Sequence, residues 1–247
     1  MAGLVLRSDL AGVATLTLNR PDVLNALSPK LFEELRAHVE RLAGETEIVG
    51  CVVLQGAGRA FSAGNDLSAI RAGERAPSAH FQAETLDALE LLPQPVIASV
   101  QGYCYTGALE LVLACDLLIV AESAKLGDTH GKWGMTPTWG MSQRLPRRIG
   151  SLRAKQLMFG GRAVSGREAV ALGLANECVP DAELAGRTLA LAREITANSW
   201  FTLRTEKTLL REGACLTPLA ALAYERANSP GAGPDMAERL KSFGAKS

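Results

Sequence analysis

The chain has 247 residues, 47% of them apolar and 21% charged, and its 26 basic and 26 acidic residues cancel. That length buries a large core, and one α/β domain is expected; a zero balance with only short arginine pairs such as Arg147-Arg148 excludes a nucleic-acid partner. The longest apolar stretch, Leu109 to Ala121, is interrupted by Glu110 and Asp116 and is too short for a bilayer, so no membrane span is expected.

The first residues show no basic n-region, no long apolar run and no small-residue cleavage site, which points to a cytoplasmic protein. Cys51, Cys104, Cys115, Cys178 and Cys215 are scattered without a CxxC pair. They read as reduced, mostly buried thiols, with no disulfide framework and no metal site.

In chain order, Val13 to Leu18 alternates Thr with apolar residues and predicts a strand that ends at Asn19-Arg20-Pro21. A helix follows, with Ser28 as N-cap, Pro29 at its first position, Leu31, Leu35 and Leu42 on one face, and Gly44 at its end. Gly50 to Leu54 is a short apolar run of strand length, and QGAGRAFSAGND after it is too glycine-rich for either regular element. Phe81, Leu86, Leu89 and Leu92 predict a helix from Ser78 to Leu92, closed by Pro93 and Pro95; VIASV is then a buried strand. After the glycine break QGYCYTG come a buried helix from Ala108 to Ala114 and a strand from Asp116. This rhythm of strand, glycine loop and helix predicts an α/β core. Ser165 with Glu168 forms a capping box for a short helix that Gly173 closes. From Asp181 onward only helices are expected, one starting at Thr217-Pro218 and the last following the hinge SPGAGP.

Two glycine-rich loops, FSAGNDL (Phe61 to Leu67) and QGYCYTGALEL (Gln101 to Leu111), are the segments most able to carry chemistry. Glycine there permits positive φ and lets a ligand approach the backbone; the plainer alternative is a tight turn. Neither has the spacing of a phosphate or dinucleotide fingerprint. Gly107 should open the helix that carries Glu110, so free N–H groups point out of that turn and favour a developing oxyanion. Glu110 lies among Ala108, Leu109, Leu111, Val112 and Leu113, where a carboxylate is costly to bury. It is either a functional group or a glutamate on the solvent side or paired with an arginine. Ala124 to Leu145 reads as a long polar and aromatic loop holding Asp128, His130, Trp133 and Trp139. A lone histidine is more often structural than catalytic, and tryptophans are more often core than ligand walls. Ser62, Ser99 or Ser142 facing His130 would make a serine hydrolase, but no GxSxG elbow is present.

Taken together and in order, NRPDVLNALS, GCVVLQGAGRAFSAGNDL, PQPVIASVQGYCYTGALELVLACDLLIVAE, KWGMTPTWGMSQRLPRRIG and GRAVSGREAVALGLANECVP resemble the crotonase (enoyl-CoA hydratase/isomerase) family over nearly the whole chain. The resemblance implies an α/β, crotonase-like spiral of ββα units in residues 1–190 and a helical C-terminal trimerisation region in 191–247, assembling as a homotrimer or a hexamer of two trimers. It implies an acyl-CoA substrate and no separate cofactor, coenzyme A being part of the substrate. The thioester oxygen would be held by the backbone N–H groups of Asn65 and Gly107. The backbone around Val23, Leu24, Ala63, Gly64, Asp66 and Leu67 would receive the CoA arm and adenine, and Tyr105, Trp133 and Trp139 would narrow the acyl pocket. Hydratases of the family use two glutamates; Glu110 falls on the first, while His130, in DTHGKWG, stands at the second. The implied activity is hydration of a trans-2-enoyl-CoA to a 3-hydroxyacyl-CoA, with Glu110 activating water and His130 relaying a proton. The alternatives are Δ3,Δ2-enoyl-CoA isomerisation and a catalytically weak acyl-CoA binder. Near the C-terminus, where the family often carries a Phe and a Lys-Arg pair close to the CoA phosphates, only Lys241, Phe243 and Lys246 are present.

Overall fold

A computed structural model of the chain describes residues 3–241, so Phe243 and Lys246 lie outside the described residues. The chain opens with a hairpin of β1 (Val5–Leu10) and β2 (Val13–Leu18), followed by α1 (Pro29–Gly44). Ser28 caps α1 by accepting a hydrogen bond from the Leu31 amide, and Leu31, Phe32, Leu35, Val39 and Leu42 form its buried stripe. Next come β3 (Cys51–Gly56), the short α2 (Leu67–Arg71), α3 (Phe81–Glu90), β4 (Val96–Val100), β5 (Tyr103–Tyr105), α4 (Gly107–Leu113), β6 (Leu117–Ala121) and β7 (Lys125–Gly127). The chain continues through α5 (Met141–Ile149), α6 (Ser151–Gly160), β8 (Ala163–Ser165), α7 (Gly166–Leu172), β9 (Glu177–Val179) and α8 (Leu184–Thr196), then α9 (Trp200–Gly213), α10 (Pro218–Asn228) and α11 (Met236–Lys241).

The larger sheet has the order β1-β2-β3-β4-β6-β9, parallel except for the opening hairpin. Its central strands are covered on both faces, which is why they read as unbroken apolar runs. Val52, Leu54, Val96, Ala98, Leu118 and Val120 face the main core with α1, α3 and α4. Their neighbours Cys51, Val53, Ile97, Ile119 and Ala121 face Leu184 and Ala192 of α8. The smaller sheet, β5-β7-β8, stands apart from the larger one.

The first helix, the apolar strands and the helical character of the chain after Asp181 agree with the sequence reading. Several elements differ from it. The α3 helix begins at Phe81 rather than Ser78. QGYCYTG is not only a glycine break, because Tyr103–Tyr105 pairs in parallel with β7. Ala124 to Leu145 is not one long loop: it contains β7, a 3-10 turn at His130–Trp133 and the start of α5. The Ser165 hydroxyl accepts from the Glu168 amide, but the Glu168 carboxylate pairs with Arg162 instead of closing the box. The division after residue 190 falls inside α8, which packs on the sheet. The helices beyond it are held by Trp200, whose indole lies where a Cβ on Gly50 would come within 2.3 Å and one on Gly12 within 2.7 Å.

Candidate active site

The loop after β3 and the strand β5 bring Asn65 and Gly107 together. Leu27 donates to the Gly64 carbonyl and Asp66 donates to the Leu27 carbonyl, which turns the intervening Asn65 amide away from this bridge. Gly64 has φ +99°, and a Cβ there would lie 2.5 Å from the Tyr105 carbonyl oxygen and 3.7 Å from the Gly107 amide nitrogen. Only a glycine fits that approach. Gly107 opens α4, where an amide has no intrahelical acceptor. Thr106, just before it, has φ +54°, a strained conformation for a residue with a side chain. Its amide donates to the Gly127 carbonyl, and the Thr129 amide donates to its hydroxyl at 3.2 Å, so the Gly107 turn and the turn carrying His130 are fastened together.

Glu110 is neither on a solvent face nor paired with an arginine; it is 1% exposed. Its Oε1 accepts from the amides of Trp139 (2.9 Å) and Met141 (3.1 Å), and its Oε2 lies 3.7 Å from His130 Nε2. Arg144 holds the donating segment in place by bonding the Trp139 carbonyl and pairing with Asp87 and Glu90 of α3. Burial pushes the Glu110 carboxyl above the usual carboxylate range, against the lowering influence of the Met141 and Trp139 amides and of His130. His130 is also buried, and its Nδ1 lies 2.6 Å from Asp128 Oδ1. Burial works against a charged ring, but the Asp128 hydrogen bond and the charges of Asp128 and Glu110 outweigh it and hold the imidazole above its ordinary value.

Asn65, Thr106, Gly107, Glu110, His130, Met135 and Trp139 line a cavity of about 320 Å³. The Trp139 ring, packed edge-on against Phe32 at 5.0 Å, walls it beside Gly107, where a Cβ would come within 2.4 Å of Cζ3. A second cavity of about 410 Å³ shares Asn65, Thr106 and Met135 and adds Ala63, Leu67, Tyr105, Lys132 and the 61% exposed Trp133.

Of the residues expected at the site, Asn65, Gly107, Glu110, His130 and Trp139 meet in the inner cavity, and Ala63, Leu67, Tyr105 and Trp133 line the outer one. Gly64 lies beneath the turn as its spacer. Val23 and Leu24 line neither cavity; Leu24 supports the loop by accepting from the Ala63 amide. The Asp66 side chain pairs with Arg20 and caps α2, which fixes the backbone of the loop at that point. Residues with no signal in the local sequence also build the site: Asn25 donates to the carbonyls of Ala57 and Ala60 and so holds the base of the first loop. The serine hydrolase alternative fails on geometry. Ser62 bonds the Asn25 carbonyl, Ser99 shares a hydrogen bond with Thr188 of α8, and Ser142 is exposed. Among the described residues no group of three or more His, Cys, Asp or Glu is arranged to hold a metal ion.

Asn65 and the helix-opening Gly107 line one cavity with a desolvated carboxylate, and a carboxylate in such a setting can move protons. A family profile described as enoyl-CoA hydratase/isomerase matches residues 9–232. The chain belongs to this family, the crotonases. It is 33% identical over 217 residues to a short-chain-enoyl-CoA hydratase of Clostridium acetobutylicum, covering 86% of this chain and 83% of that protein. Among solved structures, an enoyl-CoA hydratase from Bacillus anthracis is 36% identical and superposes with a TM-score of 0.92 over 98% of this chain and 96% of its own. One from Geobacillus kaustophilus is 31% identical with a TM-score of 0.88, over 97% and 94%.

Proposed function

We propose that this protein is an enoyl-CoA hydratase that adds water to a trans-2-enoyl-CoA and releases a 3-hydroxyacyl-CoA. The observation that carries the reading is Glu110 facing His130 in the cavity that Asn65 and Gly107 also line. In this reading the amides of these two residues hold the thioester oxygen, each worth on the order of 3 kcal/mol as it gains charge. Glu110 takes a proton from water as its oxygen bonds C3, and protonated His130 delivers a proton to C2. After product leaves, the proton on Glu110 returns across the gap to His130, and the site is reset. The outer cavity, with Tyr105, Lys132 and Trp133, receives the CoA arm. A pure binder has no need of so desolvated a carboxylate.

Exposed leucines on α9 and α10, such as Leu210 and Leu219 at 76% and 80%, favour the homotrimer or hexamer expected of the sequence. Among the described residues no helix is long and apolar enough to cross a membrane; a cytoplasmic site of action is part of the proposal. The test is loss of the conjugated enoyl thioester absorbance over acyl chains from short to long, with mass spectrometry of the product. A gain of one water supports hydration. An unchanged band, with turnover of 3-enoyl-CoAs instead, replaces it with isomerisation.

A further inference from the structure

Asp128 is 2% exposed, and one of its carboxylate oxygens is spent on its neighbour two residues on. The same oxygen, Oδ1, accepts from the His130 backbone amide at 3.0 Å and lies 2.6 Å from the ring Nδ1. A carboxylate accepts, so the ring nitrogen facing it is the donor. Nδ1 therefore carries the hydrogen, and Nε2 is the nitrogen left facing Glu110 and the cavity. The turn is braced in this arrangement, because Thr129, between the two residues, bonds Thr106 through its amide and hydroxyl.

We propose that Asp128 is a positioning residue of this site, fixing the His130 imidazole with Nδ1 protonated so that Nε2 alone exchanges protons with substrate and with Glu110. The proposal rests on the hydratase reading of the cavity but makes a statement about the ring that holds without turnover. A glutamate at position 130 would bring its own charge and need no such partner. An imidazole has two nitrogens, and one must be assigned before the other can work in one direction. Asp128 makes that assignment and also favours the charged ring. The charges acting on the imidazole are those of Asp128 and Glu110. On its own turn Lys132 lies at the cavity mouth. From α6, packed against the turn, Arg153 donates to the Leu172 carbonyl and Lys155 is exposed.

The test begins with wild-type protein carrying ¹⁵N-histidine, which gives three imidazoles to follow, those of His38, His80 and His130. Their long-range ¹H–¹⁵N spectra are recorded across pH, with His130 identified by its loss in His130→Gln. The expected result is a neutral His130 ring protonated on Nδ1; a ring protonated on Nε2 overturns the proposal before any variant of Asp128 is made. In Asp128→Asn the ring is expected to lose its proton at lower pH. With an enoyl-CoA substrate, kcat should fall about 10- to 100-fold while KM stays close to wild type, and the basic limb of the pH–rate profile should move to lower pH. A folded Asp128→Asn with reduced kcat but an unmoved limb and an unmoved His130 titration also overturns it. If wild type hydrates no enoyl-CoA while the ring is held as described, the reaction assigned to the site fails and the role of Asp128 stands.

Discussion

Glu110 Oε2 and His130 Nε2 face each other at 3.7 Å, each side chain almost withdrawn from solvent. Groups this close titrate as a pair, and the productive form carries one proton, on the imidazole. At low pH Glu110 is protonated and cannot accept from water; at high pH Nε2 of His130 has no proton to give. Burial raises Glu110, and Asp128 with Glu110 raises His130 against the effect of burial. The rate kcat/KM should therefore follow a bell whose acid limb lies above the ordinary glutamate value of about 4.3 and whose basic limb lies above the ordinary imidazole value of about 6.5. A profile that is flat through both regions contradicts the assignment of the pair.

Replacing Glu110 by Gln keeps an acceptor for the Trp139 and Met141 amides and removes the base. Turnover should fall by about 10²- to 10⁴-fold with CoA-ester binding retained. Because burial disfavours the ionised carboxylate in the folded chain, the variant should melt no lower than wild type at neutral pH. Full activity in Glu110→Gln, measured by the enoyl absorbance assay, removes Glu110 from the mechanism.

Gly107→Ala places a methyl group 2.4 Å from Trp139 Cζ3, and the ring is itself backed by Phe32. Either the indole or the start of α4 must move, and the amide donor moves with the helix. The expected loss in kcat is on the order of 10²-fold, comparable to removal of one oxyanion donor. Steady-state kinetics beside a thermal melt separates this from general unfolding; a folded variant with unchanged kcat and an unchanged Trp139 fluorescence, so that neither the helix start nor the indole has given way, contradicts the clash.

Asp66 is held down to about 2: burial opposes ionisation, but hydrogen bonds from Ser68, Arg20 and the Ala69 amide outweigh it. A depressed carboxyl stabilises the fold above its unfolded value and loses that contribution as pH falls toward its folded one. Asp66→Asn should thus be less stable than wild type by on the order of 2 kcal/mol near neutrality. In urea unfolding the gap should narrow between about pH 4 and pH 2. A gap that does not vary with pH assigns the loss to packing instead.

The parts of the fold that are legible in the sequence are those whose signal is local. The Ser28 cap and leucine stripe of α1 announce a helix, and VIASV announces a strand buried on both faces. By contrast, β5, β7, β8 and β9 are each three residues long, too short for a period, and exist because distant partners pair with them. At the site, Gly107 is readable as a helix start and Glu110 as an expensive neighbour of leucines. What makes the carboxylate tolerable is a pair of backbone amides at Trp139 and Met141, and an amide leaves no mark on residue identity. His130 emerges only from the order of segments, and its pairing with Asp128 depends on a tight turn inside what reads as a loop. Asn25 and Arg20, which carry the first loop, look like ordinary turn residues until the chain is folded.

The indole of Trp200 filling the notch left by Gly12 and Gly50 bears on how this protein can be cut or recombined. The notch is formed by the opening hairpin turn and the lead into β3, so the last helices are seated on the earliest part of the chain. A fragment ending near residue 190 would lose that plug together with half of α8, baring Ile97 and Ile119 as an oily strip on a half-covered sheet. Such a fragment is a poor unit for expression, since a bared strip of this kind promotes self-association. Chimaeras with relatives are better joined so that Gly12, Gly50 and Trp200 come from one parent.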